Sequence, residues 1–179
     1  MRVSRIRGAL ASASMIAAML SGIGIAVPAQ AQIPVVEVGS ATVDERDLSE
    51  AEALILLQKA LREQGYEGDV TEEALRRESE TTGIESAKVN GCSTPKVTER
   101  LTKKWDRVFR PACNKHDVCY SKNSRTPRKT CDWRFREDMY KICKGRSKDG
   151  NACRRAASTY YYAVRAFGKN YYKGKGSNA

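Results

Sequence analysis

The chain has 179 residues, and its 32 Lys and Arg against 21 Asp and Glu give a formal net charge of +11 at pH 7. Such basicity favours polyanionic partners such as phospholipid, nucleic acid or an acidic protein. Only one histidine, His116, is present, so it is the one side chain whose ordinary titration falls near neutral pH. No segment after residue 31 is apolar enough to predict a membrane span.

Residues 1–31 have the features of a secretory signal peptide. Three arginines within the first seven residues precede an uncharged apolar stretch from Ala9 to Val27, and Ala29-Gln30-Ala31 is a small-x-small cleavage motif. A retained membrane anchor is the alternative, but the apolar stretch is short and interrupted by glycine. We therefore predict a secreted, extracellular protein whose cysteines form disulfide bonds.

The acidic part of the mature chain is its N-terminal part. Residues 32–89 carry 14 acidic and 6 basic side chains, whereas residues 90–179 carry 7 acidic and 23 basic ones. Apolar spacing predicts a helix over 48–64, begun by a capping box at Ser49 and Glu52, and a shorter one over 71–79. Residues 32–89 are either an acidic helical segment retained in the folded protein or a propeptide that masks the basic part until it is removed.

The helical pattern that resumes near Thr98 carries the reactive groups. One face of this helix, at positions i, i+3, i+4 and i+7, holds Cys113, His116, Asp117 and Tyr120. A polar loop over 121–129 separates it from a strong helix over 130–144. Two helices joined by a short loop pack antiparallel, which allows Asp132 to face His116.

The remaining segments complete an all-α prediction. A short loop leads to a last helix over 152–167, and no part of the chain has a convincing strand pattern. Residues 168–179 are rich in Gly and Lys, and we predict a flexible tail.

Six cysteines fall within a short stretch of the basic part: Cys92, Cys113, Cys119, Cys131, Cys143 and Cys153. An even number in an exported chain predicts three disulfides and leaves the pairing open. Cys119 and Cys131 flank the interhelical loop and could join the base of the hairpin. Disulfides matter here because a region of this size has a small core.

His116 and Asp132 are candidates for general-base chemistry. A carboxylate on one imidazole nitrogen fixes the ring tautomer and stabilises the imidazolium that forms when the other nitrogen takes a proton. No Gly-x-Ser-x-Gly motif is present, and paired cysteines supply no thiolate, so water is the remaining nucleophile. The oxyanion then needs a cation such as Ca²⁺. Asp117 is a suitable ligand for it, and carbonyl groups of the loop at Asn90 and Gly91 are others if Cys92 is bonded to the His116 helix, most simply through Cys113.

Three motifs together resemble the secreted phospholipase A2 superfamily. They are Asn90-Gly91-Cys92-Ser93, then Pro111-Ala112-Cys113-Asn114-Lys115-His116-Asp117-Val118-Cys119-Tyr120, and Cys131-Asp132-Trp133-Arg134-Phe135 with Asp138-Met139 and Cys143. The resemblance covers residues 89–167, and the bacterial, fungal and conodipine-like branch is the most similar. It implies an all-α fold, in which a disulfide-linked antiparallel helix pair with additional helices forms a catalytic domain over 90–167.

The resemblance also implies an activity and its residues. The expected reaction is calcium-dependent hydrolysis of the sn-2 ester of glycerophospholipids, with His116 as base and Asp132 as its orienting carboxylate. Asp117 and the Gly91 carbonyl would hold Ca²⁺, and Asn90 is a further candidate ligand. The implied disulfides are Cys92–Cys113, Cys143–Cys153 and, by elimination, Cys119–Cys131.

Two departures from the superfamily pattern keep other functions open. The long glycine-rich calcium loop of the pancreatic and venom enzymes is missing, and Asn90 stands where the bacterial enzymes carry Asp. One alternative is a non-catalytic cationic protein on the same scaffold that binds membranes or other polyanions. Another is a zinc-bound module, because Cys113, His116 and Cys119 have ligand-like spacing.

The expected partner is a phospholipid bilayer surface, bound peripherally and with a preference for anionic lipid. We expect no obligatory protein partner and no nucleic acid. Two basic groups are candidates for the lipid contact: Lys103, Lys104, Arg107 and Arg110 before the site, and Arg125, Arg128 and Lys129 in the interhelical loop.

Overall fold

The computed structural model describes residues 44–81, 92 and 99–179, and within these ranges every regular element is helical. The all-α prediction is confirmed. The five α-helices are α1 (Glu50–Glu63), α2 (Glu72–Thr81), α3 (Glu99–Tyr120), α4 (Arg128–Lys144) and α5 (Gly150–Phe167). Their bounds lie within two residues of those predicted. The signal-peptide prediction for 1–31 lies outside the described residues.

The N-terminal helices pack on α5 through an apolar face. Ser49 accepts a hydrogen bond from the backbone N–H of Glu52 and Glu52 returns one to Ser49, so the predicted capping box is present. Ala53, Leu57 and Leu61 are buried because the helical period places them on one side of α1. They form a cluster with three buried residues of α5, which are Tyr161, Tyr162 and Ala166.

A second core lies between α3, α4 and α5. Its large side chains are Trp105 and Phe109 from α3, Phe135 and Met139 from α4, and Tyr160 from α5. Burial of each such side chain contributes roughly 1.5–3 kcal/mol. This core holds α3 against α4 as the predicted hairpin.

All six cysteines are paired, as Cys92–Cys113, Cys119–Cys131 and Cys143–Cys153. This is the pairing that the superfamily resemblance implies. It also excludes the zinc-bound alternative, because Cys113 and Cys119 have no thiolate left to bind a metal ion. The Cys119–Cys131 bond ties the last turn of α3 to the first turn of α4.

The tail differs from the prediction of a flexible segment. A 3₁₀ turn over Gly168–Tyr171 follows α5 directly, and Tyr172 is buried. The backbone N–H of Lys173 donates to the Tyr120 carbonyl at 2.9 Å, and that of Arg128 donates to the Ser177 carbonyl at 2.8 Å. The first turn of a helix has N–H groups without helical partners, and here the tail supplies an acceptor for one of them.

Of the helices in the described ranges, none combines the length and the apolar character that a membrane crossing requires.

Candidate active site

The structure brings His116 and Asp132 together at the hinge of the helical hairpin. Nε2 of His116, near the end of α3, lies 2.9 Å from Oδ1 of Asp132, in the first turns of α4. Cys119 lies three residues after His116, and Cys131 directly precedes Asp132. The disulfide between the two cysteines therefore fixes the register of His116 and Asp132. His116 is 8% exposed and Asp132 is fully buried.

Asp132 is held by three further side chains. The Tyr120 hydroxyl donates to Oδ1 at 2.6 Å, and Nη1 of Arg165 donates to Oδ2 at 3.1 Å. Nη1 of Arg128 lies 3.7 Å from the same Oδ2. All three side chains are buried. A buried carboxylate needs such charge compensation and hydrogen bonding to be stable in the interior of a protein.

The hydrogen bonds at Asp132 set the tautomer of His116. An ionised carboxylate only accepts hydrogen bonds, so the imidazole nitrogen beside Asp132 must donate. The proton of the neutral imidazole therefore lies on Nε2, and Nδ1 has a free lone pair. An imidazole in this state can take a proton from water at Nδ1.

Tyr120 remains a donor at any ordinary pH. Burial raises the pKa of Tyr120 well above its usual value, and the nearby negative charge of Asp132 and the hydrogen bond to it raise it further. The ring of Tyr120 also packs against His116, with 4.1 Å between centroids, and Phe135 stacks on the imidazole at 4.6 Å. These contacts restrict the rotation of the imidazole.

A cleft of about 210 Å³ opens at the imidazole. It is bounded by the Cys119–Cys131 disulfide and by apolar and charged side chains, namely Ala112, Phe135, Lys115, Arg134 and Asp138. Lys115 donates to Asp138 across it at 3.2 Å. The one imidazole of the chain thus lies where a bound molecule could reach it.

Residues 72–168 match the family model described as prokaryotic phospholipase A2, a span of more than half the chain. The chain belongs to this family. Conodipine-P1, -P2 and -P3 of Conus purpurascens are each 39% identical to it over 66 residues, which is 36% of this chain. That match spans 34% of each conodipine. No solved structure gives a significant match.

Membership of the prokaryotic phospholipase A2 family raises the question of where Ca²⁺ would bind. Asp117 is half-buried and follows His116 directly. Cys92 is bonded to Cys113, one helical turn before Asp117, with 5.1 Å between the two Cα atoms. Asn90 and Gly91, the other predicted ligands, lie outside the described residues.

This donor set fits calcium chemically, because carboxylate and carbonyl oxygens are the ligands that Ca²⁺ prefers. Within the described residues, no group of three or more His, Cys, Asp or Glu side chains is arranged to hold a metal ion. A site built on Asp117 would therefore take further ligands from backbone carbonyls such as that of Gly91.

Two arginines of the site do not have the roles that the sequence suggests. Arg128, predicted among the lipid-contacting residues of the interhelical loop, is the first residue of α4 and fully buried, so that prediction is wrong. It turns inward because Asp132 lies one helical turn later on the same face. Arg165 is 1% exposed and was not predicted at all. The only signal for it in the sequence is its position four residues after Tyr161, which places it on the same helix face as an aromatic side chain.

Proposed function

We propose that this protein is a secreted, calcium-dependent phospholipase A2 that hydrolyses the sn-2 ester of glycerophospholipids through a water activated by His116. The observation that carries the proposal is the buried Asp132 carboxylate on Nε2 of an imidazole that lines a cleft. The match to the prokaryotic phospholipase A2 family supports the substrate class.

His116 does the proton chemistry. Nδ1 takes a proton from the attacking water, while Nε2 stays bonded to Asp132, which stabilises the positive charge formed on the ring. The imidazolium then returns the proton to the leaving alkoxide oxygen. A well-placed general base of this kind contributes a rate factor of roughly 10²–10⁴.

Asp117, the Gly91 carbonyl and the Asn90 side chain are the groups that would hold Ca²⁺. When bound, Ca²⁺ supplies electrostatic stabilisation of the negative charge that develops on the ester oxygen. Because Asn90 is neutral, this chain offers one ligand charge fewer than a site with Asp at that position. We therefore expect a calcium affinity that rises on substitution of Asn90→Asp.

The charge distribution supports action at a lipid surface. Residues 90–179 have a large excess of basic over acidic side chains, and exposed Lys and Arg residues each contribute roughly 1 kcal/mol to binding an anionic bilayer. Lys103, Lys104, Arg107, Arg110 and Arg125 are exposed, Lys129 is partly exposed, and all six remain candidates for this contact. The three disulfides support an extracellular location.

Product analysis tests this function. Vesicles of a phospholipid with distinguishable acyl chains should yield the sn-2 chain as free fatty acid and a lysophospholipid that carries the sn-1 chain. EDTA should abolish release and added Ca²⁺ should restore it. Salt-sensitive vesicle binding without any hydrolysis would instead favour the non-catalytic cationic protein, and release of the sn-1 chain would contradict the proposed specificity.

A further inference from the structure

Residues 44–50, the segment before α1 together with the first residue of that helix, are connected to the orienting carboxylate of the site through two buried arginines. Nη2 of Arg165 donates to the backbone carbonyl of Leu48, and Nη1 of the same guanidinium donates to Oδ2 of Asp132 at 3.1 Å. Leu48 is fully buried. A single planar group thus connects the backbone of the N-terminal segment to Asp132.

Arg128 makes a second connection beside the first. Its Nη2 donates to Oε1 of Glu50 at 3.0 Å, and its Nη1 donates to the Arg165 carbonyl at 3.3 Å. The same Nη1 lies 3.7 Å from Oδ2 of Asp132. Two buried guanidinium groups therefore lie between the carboxylates of Asp132 and Glu50, and Lys169 lies 3.7 Å from Glu50 on its exposed side.

The N-terminal segment also accepts hydrogen bonds from two tyrosine hydroxyls of α5. Tyr161 donates to the backbone carbonyl of Glu45, and Tyr162 donates to its side chain at 2.8 Å. Arg136 of α4 forms an ion pair with the Glu45 carboxylate. Without this segment, several buried donors would lose their acceptors, and a buried polar group without a partner is strongly destabilising.

The geometry points to Arg165 as a positioning residue for the His116–Asp132 pair, and to residues 44–63 as a part of the active enzyme that holds Arg165 in place. The kinetic consequence rests on the proposed phospholipase function. Arg165 fixes Oδ2, so that the carboxylate cannot rotate and Oδ1 stays directed at Nε2. A lysine has one nitrogen and cannot bridge Asp132 and Leu48 as a guanidinium does.

Substitution of Arg165 tests the positioning role. Arg165→Met and Arg165→Lys should lower kcat with an unchanged KM, by roughly 10-fold for the lysine variant, which is the lower end of the range for lost partners that orient metal-binding side chains. Arg155→Met and Arg155→Lys are the matched controls, because Arg155 lies on the same helix and is exposed. Wild-type kcat in a folded Arg165→Lys variant would overturn the proposal, even if Arg165→Met fails to fold.

The single histidine provides a readout that does not depend on activity. In a ¹⁵N spectrum, the ring of the wild-type protein should show a protonated Nε2 and an unprotonated Nδ1. In folded Arg165→Lys the two signals should move toward those of a ring that exchanges between tautomers. Unchanged signals would contradict the positioning role. A wild type with this signature but no hydrolysis would refute only the proposed function.

The N-terminus of the active secreted protein tests the role of the segment. Mass spectrometry of the purified active form should find a chain that begins before Leu48. An active form that begins after Leu48 would overturn the proposal, and it would favour a removable propeptide.

Discussion

Two carboxylates of this protein have similar partners and very different surroundings. Asp132 lies between Arg165 and Arg128, all fully or almost fully buried. At the far end of α4, Asp149 accepts from Arg146 at 2.8 and 3.0 Å and from Lys104 at 3.0 Å. The Asp149 side chain is 25% exposed and that of Lys104 is 62% exposed.

The comparison shows that burial, and not the number of ion pairs, decides how much a charge network contributes to stability and how firmly it fixes a side chain. Water screens the pairs at Asp149, and measured surface ion pairs contribute little to stability. At Asp132, removal of one partner leaves uncompensated charge in the interior. Asp132 can therefore fix the orientation of His116, whereas Asp149 only joins Lys104, near the start of α3, to the loop between α4 and α5.

The largest effect is expected for Asp132→Asn. An amide can donate as well as accept, so the tautomer of His116 is no longer fixed, and kcat should fall by roughly 10³–10⁴. The free energy of unfolding should fall by about 3–5 kcal/mol, because two buried guanidinium groups lose their carboxylate. Urea unfolding and initial rates measure both, and wild-type values for either would contradict the account of Asp132.

A smaller loss is expected for Tyr120→Phe. The variant lacks the hydroxyl that donates to Asp132 at 2.6 Å, and a hydrogen bond to a charged group contributes about 1.5–3 kcal/mol. The pKa of Tyr120 is raised above the ordinary 10.0 in the folded protein. Its contribution to the free energy of unfolding is therefore fully present below pH 10.0, and it is lost as the pH rises from there to the folded pKa.

Urea unfolding at several alkaline pH values measures this effect. Above pH 10.0, the wild type should lose stability more steeply with pH than Tyr120→Phe. Equal slopes in the two proteins would show that deprotonation of Tyr120 does not cause the loss of stability at alkaline pH.

Gly168→Ala tests the same hydroxyl by steric means. A Cβ at this position would lie 2.6 Å from the Tyr120 hydroxyl oxygen, although the backbone, with φ −70°, accepts alanine. Displacement of Tyr120 should lower stability by about 1–3 kcal/mol and weaken activity. Gly145→Ala is the matched control, since its nearest neighbour would be 3.6 Å away. Equal behaviour of the two variants would argue against a tight contact at Tyr120.

The smallest effect is expected for Asp149→Asn. Its hydrogen bonds to Arg146 and then to Lys104 hold the pKa of Asp149 well below its usual value, so any stabilisation is present above pH 3.8 and is lost as the pH falls below it. Because both side chains of the pair remain partly exposed to water, the urea midpoint at neutral pH should change little, and kcat should not change. A loss of activity comparable to that of Asp132→Asn would remove the contrast between the two sites.

The sequence predicts the helices and the His116–Asp132 pair because both depend on local spacing and one short loop. It does not predict the role of Arg165, whose acceptor is the Leu48 carbonyl, 117 residues away. A backbone carbonyl has no signature in the sequence, and a basic side chain on a helix is usually interpreted as exposed. The sequence predicts a flexible tail for a similar reason, since its Gly and Lys residues give no pattern that indicates the backbone contacts of Lys173 and Ser177.

The most direct measurement of the central claim is the initial rate of fatty-acid release from mixed phospholipid vesicles during a calcium titration, for the wild type and for His116→Gln. Glutamine keeps an amide donor for Asp132 but cannot accept a proton from water. We predict a saturable dependence on Ca²⁺ in the wild type, and a rate lower by roughly 10²-fold or more in a folded His116→Gln variant. Equal rates in the two proteins, or release that continues without calcium, would contradict the account.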